Sequence, residues 1–139
     1  MNRPTPLETL EALRVLLLRV KQEMMTRLHR QQPGMTFLEM RVLMLVGEGE
    51  GVSQKALVER SYIDKAQLAR TVTSLEMRGW LERRATHSDR RLRCLYLSPA
   101  GQALYEQLRR DLAEVAQMLF GGWPTETARA LIDAAGSVR

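Results

Sequence analysis

Only Cys94, His29 and His87 among the 139 residues carry imidazole or thiol groups suited to soft-metal or covalent chemistry. Three soft ligands on different elements are too few for a closed zinc site. No serine or cysteine stands in a recognisable nucleophile setting, and no glycine-rich phosphate loop follows a strand. The chain is therefore expected to be no enzyme, with no metal and no cofactor. Cys94 has Arg93 beside it, which would favour a thiolate, yet alternation along a strand buries it, and a packed structural thiol is the favoured reading. A single cysteine also excludes an internal disulfide framework and fits a reducing compartment.

Charge is the stronger signal. From Arg60 to Arg93 nine basic residues (Arg60, Lys65, Arg70, Arg78, Arg83, Arg84, Arg90, Arg91, Arg93) face four acids (Asp64, Glu76, Glu82, Asp89), so this stretch alone carries the net +5 of the whole chain. The remainder is neutral. A localised basic patch is the footprint of a polyanion partner. Membrane binding would instead need basic residues opposite bulky apolar ones on one helix, and the densest cluster here is broken by Thr86-His87-Ser88. The apolar run Val15–Leu18 stops at Arg19, so neither a membrane span nor a secretory segment is expected, and a cytoplasmic protein is.

The elements that must position this charge follow from caps and periodicity. Thr5-Pro6-Leu7-Glu8 reads as a capping box that opens a long helix, with Leu10, Leu13, Leu17, Val20, Met24 and Leu28 at helical spacing until Pro33-Gly34. Thr36-Phe37-Leu38-Glu39 opens a second, short apolar helix ending near Gly47. Ser53 caps a helix over 54–62 and Asp64 caps one over 65–78, with Val52 and Ile63 placed as hydrophobic staples. Two helices joined by Ser61-Tyr62-Ile63 form a helix-turn-helix candidate. Trp80–Ala85 and Arg93–Leu97 read as the strands of a hairpin whose tip is polar and basic. Ser98-Pro99 starts a long helix carrying Leu104, Leu108, Leu112, Val115 and Leu119, broken at Gly121-Gly122. A last short helix runs from cap Thr125 to about Ala135. The predicted order is α-α-α-α-β-β-α-α.

Within the second helix of the pair, Leu68, Val72 and Leu75 turn inward. The opposite face presents Ala66, Gln67, Arg70, Thr73 and Ser74, a short polar surface with one long cation. Such a face suits the major groove, where glutamine reads adenine, arginine reads guanine and an alanine methyl touches a thymine methyl. The adjoining arginine-tipped hairpin would reach a second groove of the same duplex.

These residues carry a family resemblance. Leu75-Glu76-Met77-Arg78-Gly79-Trp80-Leu81-Glu82-Arg83, Ser88-Asp89-Arg90-Arg91 and Leu95-Tyr96-Leu97-Ser98-Pro99-Ala100-Gly101 resemble the MarR family of winged-helix regulators. The most specific part is Asp-x-Arg followed by a strand ending Leu-Thr/Ser-x-x-Gly, matched by Asp89, Arg91, Leu97, Ser98 and Gly101. The resemblance implies a mainly α fold with a small β-hairpin wing, and a homodimeric, ligand-responsive repressor that binds a pseudo-palindromic operator in double-stranded DNA. It places Lys65–Ser74 in the major groove and Arg90 and Arg91 at the minor groove, with Asp89 bracing Arg91. Ser53 and Gln54 complete the expected DNA-binding set. Ala66 and Ala69 stand where family members often carry Ser or Thr.

One MarR-type domain over 1–139 is expected, with a DNA-binding lobe over about 36–98 and dimerisation helices over about 5–32 and 99–137. The terminal stripes are too wide for one small core and call for a partner chain. Met24, Met40 and Met44 are candidates for a pocket taking a small aromatic effector, since methionine adapts to varied ligands. The competing reading is a winged helix used for protein contacts alone, which predicts no salt-dependent DNA binding.

Overall fold

The computed structural model describes residues 2–85 and 93–138, with Arg93 described in its backbone only. The elements are α1 (Pro6–Gln31), α2 (Phe37–Glu48), β1 (Val52–Ser53), α3 (Gln54–Ser61), α4 (Lys65–Met77), β2 (Leu81–Ala85), β3 (Arg93–Leu97), α5 (Pro99–Phe120) and α6 (Thr125–Ser137). Two compact units share them: residues 25–110 form a lobe, and residues 1–24 with 111–139 form a terminal unit. The division falls inside α1 and α5, so the lower turns of both long helices belong to the lobe.

In the lobe the caps are local and decide where helices start. Thr36 Oγ1 accepts from the Glu39 amide at 3.1 Å while the Glu39 carboxylate accepts from the Thr36 amide at 2.9 Å, a complete capping box. Ser53 and Asp64 accept from the amides of Ala56 and Gln67, each at 3.1 Å. Leu57, Leu68, Val72 and Leu75 then lie fully buried with Leu28, Leu43, Val46 and Leu95. Burying a leucine or valine side chain contributes about 1.5–3 kcal/mol each, so this shared interior holds the helix pair on the sheet.

The hairpin expected from sequence is present as β2 and β3, and β1 adds a third strand that was not expected. The sheet has three antiparallel strands in the order β1-β3-β2, with Val52 opposite Leu95 and Ser53 opposite Cys94. β1 is two residues long, and its partner lies some forty positions away, so no local alternation announces it. β2 pairs with β3 from Leu81↔Leu97 to Ala85↔Arg93. Trp80 was expected to open β2 and does not. Its amide donates to the Leu75 carbonyl at 2.9 Å while that of Gly79 donates to Glu76 at 3.0 Å, closing α4 in a Schellman motif with Gly79 at φ +82.

Ser98 then locks the end of β3 to this junction. Its amide donates to the Trp80 carbonyl at 3.0 Å. Its hydroxyl donates to the Gly79 carbonyl and accepts from the Gly101 amide at 3.0 Å. A Cβ on residue 101 would overlap the Trp80 carbonyl oxygen, which explains the glycine at the start of α5. Cys94 is buried on β3.

In the terminal unit, Thr5 and Glu8 form the expected reciprocal cap, with bonds of 2.7 and 3.1 Å. Bonding to the Thr5 amide and hydroxyl, acting against slight desolvation, holds the Glu8 carboxyl below its ordinary value. The expected α6 cap is corrected: Pro124, not Thr125, is the N-cap, without a side-chain bond, and the helix runs to Ser137. Leu7, Leu10, Leu13, Val15, Leu17 and Leu18 are exposed along α1, as are Leu131 and Ile132 on α6, where no residue is buried. Of the stripe expected along α1, only Met24 and Leu28 are buried.

Candidate nucleic-acid interface

The helix-turn-helix is held tightly at its turn. Arg41, from α2, donates from Nη2 to the Ser61 carbonyl at 2.9 Å, and the Ser61 hydroxyl accepts from the Ile63 amide at 3.1 Å. Ser61 and Ile63 are buried, and Tyr62 between them adopts the left-handed conformation at φ 58 with its side chain in solvent. A left-handed non-glycine residue is strained by roughly 1 kcal/mol, and it persists where its neighbours are fixed this firmly. The turn thus sets the start of α4.

Along α4, Leu68, Val72 and Leu75 are wholly buried, as the spacing predicts. Lys65, Ala66, Gln67, Arg70 and Thr73 are exposed, and the last four follow one another at helical spacing on a single face. The helix projects from its N-terminal half a polar surface that has two long cations, Lys65 and Arg70, and no bulky apolar group. Such a surface can donate and accept hydrogen bonds at base edges in a major groove.

Ser74 departs from that face. It is half-buried, and its hydroxyl donates at 3.0 Å to Glu39 Oε2, which also accepts from Arg78 Nη1 at 2.7 Å. Burial pushes the Glu39 carboxyl up, but the Thr36 amide, the Ser74 hydroxyl and the Arg78 guanidinium outweigh it and hold the group below 4.5. One carboxylate therefore seals the start of α2 and grips the last turns of α4.

The rest of the expected set divides in the same way. Ser53 is the cap of α3. Gln54 is drawn to the hairpin: its Oε1 accepts from Arg83 Nη2 at 2.8 Å, while Arg83 Nε donates to Glu76 Oε1 at 2.7 Å. Arg84, next along β2, is bonded to Glu82 at 2.8 Å and sits over the Tyr96 ring at 4.5 Å. Asp89, Arg90 and Arg91 lie outside the described residues. Sequence reasoning read Glu39 only as part of the α2 capping box and did not foresee its bonds to Ser74 and Arg78, nor those of Arg83 to Gln54 and Glu76.

Met40 is buried and Met44 half-buried on α2 in the lobe, whereas Met24, also buried, belongs to the terminal unit. A separate apolar groove of about 540 Å³ in the terminal unit is lined by Pro4, Ala12, Leu13, Leu16, Leu131 and Val138, and none of the three methionines lines it. Among the described residues no group of three or more His, Cys, Asp or Glu side chains could hold a metal ion, and no helix is long and apolar enough to cross a membrane.

A buried-backed polar helix following a tight turn, flanked by a basic hairpin, defines a winged helix-turn-helix protein. Residues 34–92 match the MarR family model. The chain is 25% identical over 84 residues to the HTH-type transcriptional regulator YybA of Bacillus subtilis, covering 60% of this chain and 56% of that one. A second relative, from Thauera aromatica, is 34% identical over 64 residues, or 45% of this chain and 39% of the relative. The chain thus spans between about two-fifths and under three-fifths of the length of these relatives. The fold matches Streptococcus pneumoniae FabT in complex with DNA at a TM-score of 0.79 and 17% identity, over 95% of this chain and 93% of FabT. It also matches Rhodococcus jostii CouR bound to p-coumaroyl-CoA at 0.78 and 24%, over 91% and 87%.

Proposed function

We propose that the protein is a sequence-specific regulator of transcription that binds double-stranded DNA as a homodimer in the cytoplasm and catalyses no reaction. The observation that carries this reading is the exposed face of α4, where Ala66, Gln67, Arg70 and Thr73 stand out from a helix whose other side is wholly buried. Lys65 starts the same helix and adds charge toward phosphate. Ser53 caps the start of α3, its hydroxyl accepting from the Ala56 amide while retaining an O–H that can donate to phosphate. Arg90 and Arg91 would enter the minor groove with Asp89 bracing Arg91, as the family resemblance implies.

Homodimer formation follows from the terminal unit, whose apolar residues on α1 and α6 are left in solvent by a single chain. Contiguous apolar surface on this scale marks an interface, and a two-fold partner would give two recognition helices related like the halves of a palindrome. The dimerisation helices and the lobe over about 36–98 together make one functional domain. CouR carries a coenzyme A thioester of an aromatic acid, which supports a small aromatic effector here, with repression relieved when it binds. Within the lobe, Met40 and Met44 are the residues proposed to meet it.

The test is fluorescence anisotropy of the full chain on a duplex enriched from random sequence and on a scrambled duplex, across a salt series. The reading requires tighter binding to the enriched duplex and a steep loss of affinity as salt rises. Equal, salt-insensitive binding to both duplexes would leave a protein-contact module in its place.

A further inference from the structure

We propose that Arg83 is not a DNA contact but a positioning residue, a strut that fixes the wing strand against the helix-turn-helix through Glu76 and Gln54. The inference rests on the DNA-binding reading above and names the residue that aims the wing. Arg83 is the third residue of β2, opposite Leu95. Its Nε donates to Glu76 Oε1 at 2.7 Å and its Nη2 to Gln54 Oε1 at 2.8 Å. Glu76 lies in the last turn of α4 and Gln54 is the first residue of α3, so one planar guanidinium ties three elements. Its rigid fork makes such a joint directional, which a lysine ammonium cannot do.

The backbone ladder ties β2 to β3, and this joint adds a side-chain tie from β2 to the two helices. Between α4 and β2 the chain turns at Gly79, and a Cβ there would meet nothing within 4 Å. Ser98 pins the base of this turn, while Arg83, four residues further along, spans from the strand back to both helices. The Arg83 and Glu76 side chains are both about 30% exposed, at 31% and 28%, so the pair is partly shielded from water. With its charge matched by Glu76 and its fork engaged twice, Arg83 adds little free positive charge toward phosphate. It sits within the basic cluster but is spent on geometry.

The opposing predictions differ in sign. Arg83→Lys keeps the charge and loses the fork; Glu76→Ala removes a negative charge beside the duplex, which simple electrostatics predicts would tighten binding. The strut predicts that each weakens binding to the enriched duplex about tenfold. Binding to scrambled duplex and the log–log salt slope should match wild type. Glu76→Gln, which keeps an acceptor for Arg83 Nε, should recover most of the loss. Stoichiometric titration fixes the active fraction of each variant, so a fall in folded protein is not mistaken for lost aim. An Arg83→Lys variant equal to wild type, tighter binding by Glu76→Ala, or a salt slope reduced by about 0.9 in Arg83→Ala, the value for one phosphate contact, would each overturn the strut.

A DNA-free readout separates this inference from the DNA-binding reading. In the intact protein the Arg83 Nε–H should give a slowly exchanging NMR signal that is lost in Glu76→Ala, and amides of β2 should exchange faster in Arg83→Lys. Absence of that signal in wild type overturns the strut whether or not DNA binds. A wild-type chain that shows the signal but prefers no duplex sequence overturns the DNA-binding reading alone.

Discussion

Replacing Glu39 with alanine removes three hydrogen bonds at once, and the structure sets the size of the effect. The Thr36 amide at 2.9 Å loses its partner, which amounts to losing half of a capping box, about 1 kcal/mol. The Ser74 hydroxyl, at 3.0 Å, is left half-buried without its acceptor, another 1 kcal/mol or so. The Arg78 bond at 2.7 Å is charge-assisted, but the Arg78 side chain is 36% exposed and can turn to water, so its share is discounted to about 0.5–1 kcal/mol. The total is about 2–3 kcal/mol, which for a chain of this length lowers Tm by roughly 6–9 °C. The assay is thermal unfolding followed by circular dichroism at one fixed protein concentration, because association would make Tm concentration-dependent. Acid adds a second reading. The folded Glu39 carboxyl is held below 4.5, so its contribution is fully present above that value and is lost as pH falls through the lower folded value. The stability difference between wild type and Glu39→Gln should therefore be flat from neutral pH to about pH 5 and shrink below it. A Glu39→Ala variant within 0.5 kcal/mol or so of wild type would refute the reasoning, since that is the range of an ordinary surface change.

Other perturbations test other joints. Gly101→Ala forces a methyl into the Trp80 carbonyl and should destabilise the lobe by about 1–3 kcal/mol, read as a lower urea midpoint with an unchanged slope. Arg70→Ala should relax preference at particular base pairs, at about 1–3 kcal/mol, measured by competition with single-base variants of the enriched duplex. Uniform weakening on all sequences would instead make Arg70 a phosphate contact. Leu13→Glu, on the exposed α1 face, should give a folded species of half the wild-type mass in sedimentation, whereas a wild type that already sediments at 15.9 kDa would contradict the dimer.

The sequence made some of this legible and hid the rest for a physical reason. The caps Thr36, Ser53 and Asp64 could be read because each bonds an amide three residues away. The inward face Leu68, Val72 and Leu75 followed from helical spacing alone. Ser74 was placed with the exposed residues because its partner, Glu39, lies 35 positions away, and a helical wheel does not say which neighbouring helix covers which edge. The bond between Gln54 and Arg83 went unread for the same reason, the two lying 29 positions apart. β1 went unseen because two residues carry no period, and Val52 shows itself as a strand only opposite Leu95. Gly101 was read as part of a motif, but its necessity lies in the Trp80 carbonyl. Local chemistry was visible in the chain, while contacts made across it needed the fold.

The central claim is that α4 reads base sequence in duplex DNA. Repeated selection of the full-length chain's bound fraction from a pool of random duplexes tests it most directly. The account predicts convergence on an inverted repeat whose half-sites are centred about 10–10.5 base pairs, or one helical turn, apart. The Arg70→Ala protein should return the same repeat with specificity relaxed at one symmetric pair of positions. A pool that stays random after several rounds, or one that converges identically with Arg70 removed, would contradict it.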